Sequence, residues 1–217
     1  MDANGTITDT VLDTFGRVVS TWVGTNDATN NFGPFNGSNA GTGNNMTQVS
    51  ANIYDNNGPG DSNLTQTIQY PDGKVAGTQR VSLMSYDFQD RLTATESGLT
   101  LDANGNVVQS ATVAYPTLTV QSLDNLGNAT ATLAFNGGAL SSTPATAMAD
   151  AIAESASAAP GAVLTGLIGY STSAYDSQGR DYQDQTYSVD PATGSISTTA
   201  LTSYTFYGPR GNVIGHG

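Results

Sequence analysis

One pattern recurs five times along this 217-residue chain: an apolar residue or tyrosine, usually Asp, two free positions, usually Gly, then Arg or Asn. Leu12-Asp13 is followed by Gly16-Arg17 and Tyr86-Asp87 by Asp90-Arg91. Leu123-Asp124 leads to Gly127-Asn128, Tyr175-Asp176 to Gly179-Arg180, and Tyr207-Gly208 to Gly211-Asn212. The most complete copy lies in Ala174–Thr186. Each copy reads as strand, tight turn, strand. An Asp can accept hydrogen bonds from the amides of its own turn, and Gly supplies the positive φ that closes it. The residue before the Asp is expected to face the core, and the Arg to reach across the sheet to an Asp. A chain built this way folds as an antiparallel all-β protein, a sandwich or barrel-like sheet.

The segments between the turns support that fold. Strand-like runs cover Thr6–Val23 in two pieces, then Thr47–Tyr54, Leu64–Tyr70, Thr78–Tyr86 and Leu92–Leu101. Asp102–Asn106 reads as a hairpin of type I′, in which Asn104 and Gly105 both take positive φ. Runs at Val107–Tyr115 and Thr117–Leu123 are split by Pro116, which belongs at an edge or bulge. Ala129–Phe135, Ala162–Tyr175, Tyr182–Val189 and Ser195–Tyr207 complete the series. Gly24–Asn45 reads as a long surface loop carrying Phe32, Pro34 and Phe35. One helix is expected, with Thr143 as N-cap, Pro144 at the first helical position, and an end at Ala158 before Pro160-Gly161. The whole reads as one elongated β-domain of residues 1–217. Trp22, Tyr54, Tyr86, Leu123, Tyr175 and Tyr207 are the expected core.

Charge narrows the function classes. Eighteen acidic residues against six basic give a net charge of −12, and only two of the acids are Glu. Asp favours turns where Glu favours helices, which repeats the all-β message. Lys74 is the only lysine, so a phosphate-binding surface for nucleic acid is not expected. No apolar run reaches the roughly 20 residues of a membrane span. Cysteine is absent, which removes disulfides and thiolate metal sites. The N-terminal residues lack a basic and then apolar leader pattern, so the chain either stays inside or is a mature or partial chain, and the composition favours the second, with an extracellular or cell-surface location expected.

The turn pattern resembles the YD repeats of RHS-type proteins, and segments at Gly16–Thr25, Gly60–Thr65 with Gln69–Pro71, Tyr86–Thr95 and Tyr175–Leu201 are similar to RHS repeats of planctomycete-type surface proteins. The resemblance implies a large antiparallel sheet, an extracellular or cell-surface location and a structural role. The C-terminal core region and variable toxic domain typical of such proteins have no counterpart here, and the helix near Thr143–Ala158 is not part of the repeat.

Candidate chemistry is sparse. His216, the sole histidine, stands in a glycine-rich tail unsuited to a catalytic triad. Asp87 with Asp90, and Asp181 with Asp184, imitate a glycosidase carboxylate pair, but turn and surface roles account for them. The Asp-Ala-Asn-Gly stretches at 2–5 and 102–105 carry the first half of a Ca²⁺-loop pattern without its bidentate Glu. No enzyme, cofactor or metal is therefore expected. Asn4, Asn36, Asn45, Asn63 and Asn128 occupy Asn-x-Ser/Thr sequons and are candidate glycosylation sites.

The functional expectation is assembly. The turn at Gly208–Asn212 reads as half a repeat whose returning strand is missing, and Ile7–Val23 as a strand pair without its preceding partner. Residues 1–23 of one copy would complete the last repeat of the next, giving a head-to-tail filament or surface layer by β-strand addition. An inert module of a larger RHS-type shell or adhesion protein is the alternative. A carbohydrate-binding β-domain, with glycans as partners, is the third.

Overall fold

The structure is a computed structural model that describes residues 5–27, 45–58, 60–110 and 116–217. It is an antiparallel β-protein with short helical insertions. The strands are β1 (Ile7–Leu12), β2 (Val18–Gly24), β3 (Thr47–Tyr54), β4 (Leu64–Gln69), β5 (Arg80–Tyr86), β6 (Leu92–Leu101) and β7 (Val107–Gln109). They continue with β8 (Thr117–Leu123) and β9 (Ala129–Asn136), then helices α1 (Gly137–Leu140) and α2 (Pro144–Ser155). The chain closes with β10 (Leu167–Tyr175), β11 (Asp181–Asp190), β12 (Ser195–Tyr207) and β13 (Val213–His216). Most of the long loop expected at Gly24–Asn45 lies outside the described residues, as does the second half of the run expected at Val107–Tyr115.

The chain divides into two compact units, residues 1–83 with 99–111, and residues 84–98 with 112–217. In unit 1, β1 pairs β2, β2 pairs β3, β3 pairs β4 and β4 pairs β5, all antiparallel, while β7 pairs the end of β6. Period-two alternation brings side chains of like character to one face. Ile7, Trp22 and Met46 form one buried cluster with Val11 against it. Ile68, Val81 and Leu99 form a second, flanked by Ala51, Ile53, Tyr70 and Leu83.

In unit 2 the order is β6, β8, β9, β10, β11, β12, β13, each antiparallel to its neighbour, and the sheet is open at β13. The opposed pairs Leu118 with Phe135, Val120 with Leu133 and Leu133 with Tyr170 lie on one face. Leu118, Leu133 and Phe135 are fully buried. Burying each such side chain stabilises by roughly 1.5–3 kcal/mol. Helix α2 packs on β8 and buries Pro144, Ala147, Met148 and Ala151, which covers this face. Pro144 fits the first turn because its missing N–H would have no intrahelical partner. Thr143 stands at the N-cap as expected, although its side chain makes no capping bond.

Two expected elements differ. Strand β10 begins at Leu167 rather than Ala162, because Leu164 is drawn into the core and its N–H bonds the Gly194 carbonyl at 3.1 Å. A β-carbon at Gly194 would come within 1.7 Å of the Leu164 carbonyl oxygen, so only glycine allows that approach. The segment after Gly211 is not an unpaired tail either: β13 returns along β12, with Thr205 opposite His216 and Phe206 opposite Gly215. The C-terminal repeat therefore has its second strand.

Candidate assembly surface

The repeated turns share one construction. At Asp13, Asp87, Asp124 and Asp176 the Asp N–H bonds the carbonyl four residues on, and the fourth turn residue bonds back to the Asp carbonyl. One carboxylate oxygen of Asp176 accepts the amides of Gln178 and Arg180 at 2.8 and 3.0 Å, and the other accepts Arg180 Nε at 2.7 Å. Asp13 binds Phe15 and Arg17 in the same way, and Asp87 binds Gln89 and Arg91. In the Asp124 turn Asn128 replaces the arginine and donates through Nδ2 at 2.9 Å. Gly16, Gly127, Gly179 and Gly211 hold φ of 80°, 88°, 73° and 81°, whereas Asp90 fills that position at 59°. The Gly208 turn keeps the backbone pattern without a carboxylate.

The Asp102 turn belongs to the same class, which corrects the type I′ expectation. Gly105 has φ of 82°, but Asn104 is not in the positive region. The Asp102 carboxylate accepts the amides of Asn104 and Asn106 and the Asn106 side chain at 2.8–2.9 Å, holding the first turn residues right-handed. Tyr54-Asp55 is a further, expanded copy. Asp55 accepts Asn63 N–H at 2.9 Å across a loop in which Asp55, Asn56 and Asn57 all have positive φ.

The carboxyls of Asp13, Asp87, Asp102, Asp124 and Asp176 are held below the ordinary Asp range. At Asp87, Asp102, Asp124 and Asp176 the chief cause is the side-chain donor four residues on, with backbone amides adding to it. At Asp13 desolvation acts upward and is outweighed by the bonds from Arg17 and Phe15.

Several turns also grip a neighbouring turn of the same unit. In unit 1, Arg17 reaches Asp55 at 3.0 Å and lies over the Tyr54 ring, 4.5 Å from its centroid. In unit 2, Arg91 donates to the Asp124 carbonyl at 2.6 Å. Tyr175 Oη donates to the Ala129 carbonyl at 3.1 Å, and Tyr207 Oη to the Asp181 carbonyl at 2.6 Å. Arg180 covers the Tyr207 ring at 4.6 Å. The expected reach from Arg to a distant Asp carboxylate thus occurs at Arg17 alone among these three arginines; Arg91 takes a carbonyl and Arg180 a ring.

This linkage explains a second correction. Of the expected core residues, only Trp22 is buried; Tyr54, Tyr86, Leu123, Tyr175 and Tyr207 are half-buried. The tyrosines sit at strand ends, where a phenol can meet a neighbouring carbonyl or guanidinium and still touch water.

Of the sequons, Asn4 and Asn36 lie outside the described residues. Asn45 accepts the amides of Thr25 and Asn26 and donates to Thr25 Oγ1, and Asn128 is engaged with Asp124. Asn63 is half-buried beside Asp55. Burial first, and then the neighbouring Asp184, raise the carboxyl of Asp181, while Asp184 accepts Ser173 Oγ at 2.7 Å. His216 Nδ1 lies 3.4 Å from Thr205 Oγ1.

The outer edge of β12 is only partly covered. Tyr204 exchanges backbone bonds with Gly217 at 2.8 and 3.0 Å, and Ile196 bonds Ala162 and Gly161 at 2.8 and 3.2 Å. Between them Ala200 and Thr202 alternate in phase with Tyr204, so their N–H and C=O groups point away from β11. They have no backbone partner there among the described residues. Leu201 beside them is 80% exposed, and Phe206, Val213 and Ile214 are exposed further along.

No family model matches the chain, and no curated protein matches it. Among solved structures it is similar to a chain in the crystal structure of TcdB2-TccC3-Cdc42, with 14% identity and a TM-score of 0.36. That alignment covers 98% of this chain and 10% of the other, so the protein spans about a tenth of that chain's length.

Proposed function

We propose that this protein is a structural, self-assembling extracellular subunit of the RHS-repeat type, joined head to tail by β-strand addition. The carrying observation is the run of β12 and β13, which holds no lysine or proline and leaves Leu201, Phe206, Val213 and Ile214 exposed. Edges of this kind pair with another chain unless they are blunted. The other half of the contact is β1 of a second copy, the edge strand of unit 1, which presents Thr8 and Thr10 outward. Asp9, half-buried on the inward side of β1, is the only charge on that strand and sets a limit on what it can face.

Electron microscopy and light scattering of the purified chain test the reading. Fibres are expected, and Thr202→Pro, which removes an outward amide, should abolish them while leaving the circular dichroism spectrum intact. Thr8→Lys with Thr10→Lys should do the same from the other side. Fibres that persist in both variants overturn the strand-addition contact. A second reading, a module of a larger RHS-type shell, is favoured by the turn-to-turn grip of unit 2, and it expects monomers throughout.

A further inference from the structure

Among the described residues, Glu96 is the one whose surroundings contradict its chemistry. It lies on the covered face of β6, opposite Leu118 of β8, and is completely buried. Neither carboxyl oxygen has a hydrogen-bond partner among the described residues. Its Oε1 stands 2.5 Å from where a β-carbon on Gly137 would lie, so the acid is wedged against the start of α1. The Gly137 N–H that could have served it donates instead to the Pro116 carbonyl at 2.9 Å. An ionised carboxylate in such a place forfeits its hydration without compensation, whereas a neutral carboxyl loses far less.

Among the described residues, the groups packed against it are uncharged. Leu118 on β8, Phe135 on β9, Pro116 and Gly137 carry no titratable group. On α2, Asp150 and Glu154 line an open cleft with Ser157 and Thr165. Arg91, which precedes β6, is engaged with Asp87 and the Asp124 carbonyl.

We propose that Glu96 is a proton-operated latch on the helical cover of unit 2: the cover formed by α1 and α2 stays seated while the carboxyl is neutral and loosens when it ionises. Burial pushes this carboxyl up to about 7, from an ordinary value of 4.5. The folded state therefore holds its proton more tightly than the unfolded chain does. Stability from this group is complete below about pH 4.5, falls as pH rises towards 7, and is constant beyond. Loosening the cover would expose Leu118, Phe135 and Met148, so the latch would couple ambient pH to the apolar surface this unit presents.

The test is amide hydrogen exchange and equilibrium unfolding of the whole chain across that pH range, for wild type, Glu96→Gln and Glu96→Leu. In wild type the opening constant of α1 and α2, corrected for intrinsic exchange, should rise by up to about tenfold per pH unit and then level off. Both variants should lose that rise. Asp181, whose carboxyl is also raised, acts with the same sign in all three chains, so the difference between chains is the readout. A wild-type profile without the rise, or a Glu96→Gln profile parallel to wild type, overturns the proposal. Should neither variant fold, the infrared carbonyl band of a neutral carboxyl in wild type near pH 6 decides. Its presence supports the latch and its absence overturns it.

Discussion

The phenol of Tyr207 donates to the carbonyl of Asp181 at 2.6 Å, while the guanidinium of Arg180, one residue earlier, lies over the same ring. Two adjacent residues of one turn thus hold the tyrosine that begins the next, one by its oxygen and the other by its face. Tyr175 with Ala129 repeats the first half of this arrangement, with Asn128 standing where Arg180 does. The tyrosine and the arginine of the repeat therefore serve successive turns, which is why they recur together.

Replacing Tyr207 by Phe keeps the ring under Arg180 and removes only the donated bond. The expected loss is about 1 kcal/mol in urea unfolding, with an unchanged denaturant slope. Tyr207→Ala should cost more, because the cation–π contact and the packing go as well.

Asp90 is the copy in which a side chain occupies the left-handed position, at φ of 59°. Asp90→Gly should stabilise by about 1 kcal/mol, the strain relieved exceeding the entropy lost by glycine in the unfolded chain. The mirror experiment, Gly127→Ala at φ of 88°, should destabilise by a similar amount. Thermal unfolding of the two variants side by side checks both signs.

The turn carboxylates set the acid limit. Their folded values are depressed, so their contribution is present above the unfolded Asp value near 3.8 and is lost as pH falls through the lower folded values. The denaturation midpoint should drop steadily below about pH 4, and Asp176→Asn should weaken the dependence. Circular dichroism melts from pH 5 down to about pH 2 measure it.

Gly137→Ala should destabilise unit 2, since the new methyl would meet Glu96 Oε1. Glu96→Ala in the same chain should recover much of the loss, giving a coupling energy of about 1 kcal/mol or more in a double-mutant cycle. Additive effects would place the clash elsewhere.

The architecture was legible in the sequence wherever the chemistry is local. Asp13, Asp87, Asp124 and Asp176 act through atoms within four residues, so spacing alone reveals the turns. Asp55 escaped the pattern because its loop is longer and asparagines take the positive φ that glycine takes elsewhere. Asn104-Gly105 suggested a different turn because the dipeptide hides the governing residue, Asp102, two places upstream. Strand β13, with four residues and one glycine, has too little β-propensity to be seen without β12 beside it. Glu96 was invisible for another reason. It lies among Thr93, Thr95 and Ser97, where polarity suggests solvent, and only the pairing of β6 with β8 puts it inside. Tyr54, Tyr86, Tyr175 and Tyr207 are half-buried because a phenol carries a polar tip that aromatic character alone does not show.

The grip between turns has a range of one. In unit 2 Arg91 meets the Asp124 turn, Tyr175 meets the segment just after that turn, and Arg180 and Asp181 meet Tyr207. Energy distributed this way behaves as a chain of nearest-neighbour couplings, to which a hairpin can be added or from which one can be removed while the others keep their registers. Copy number then becomes a free parameter for evolution, and a damaging substitution is felt by its own turn and the adjoining ones but not along the whole row.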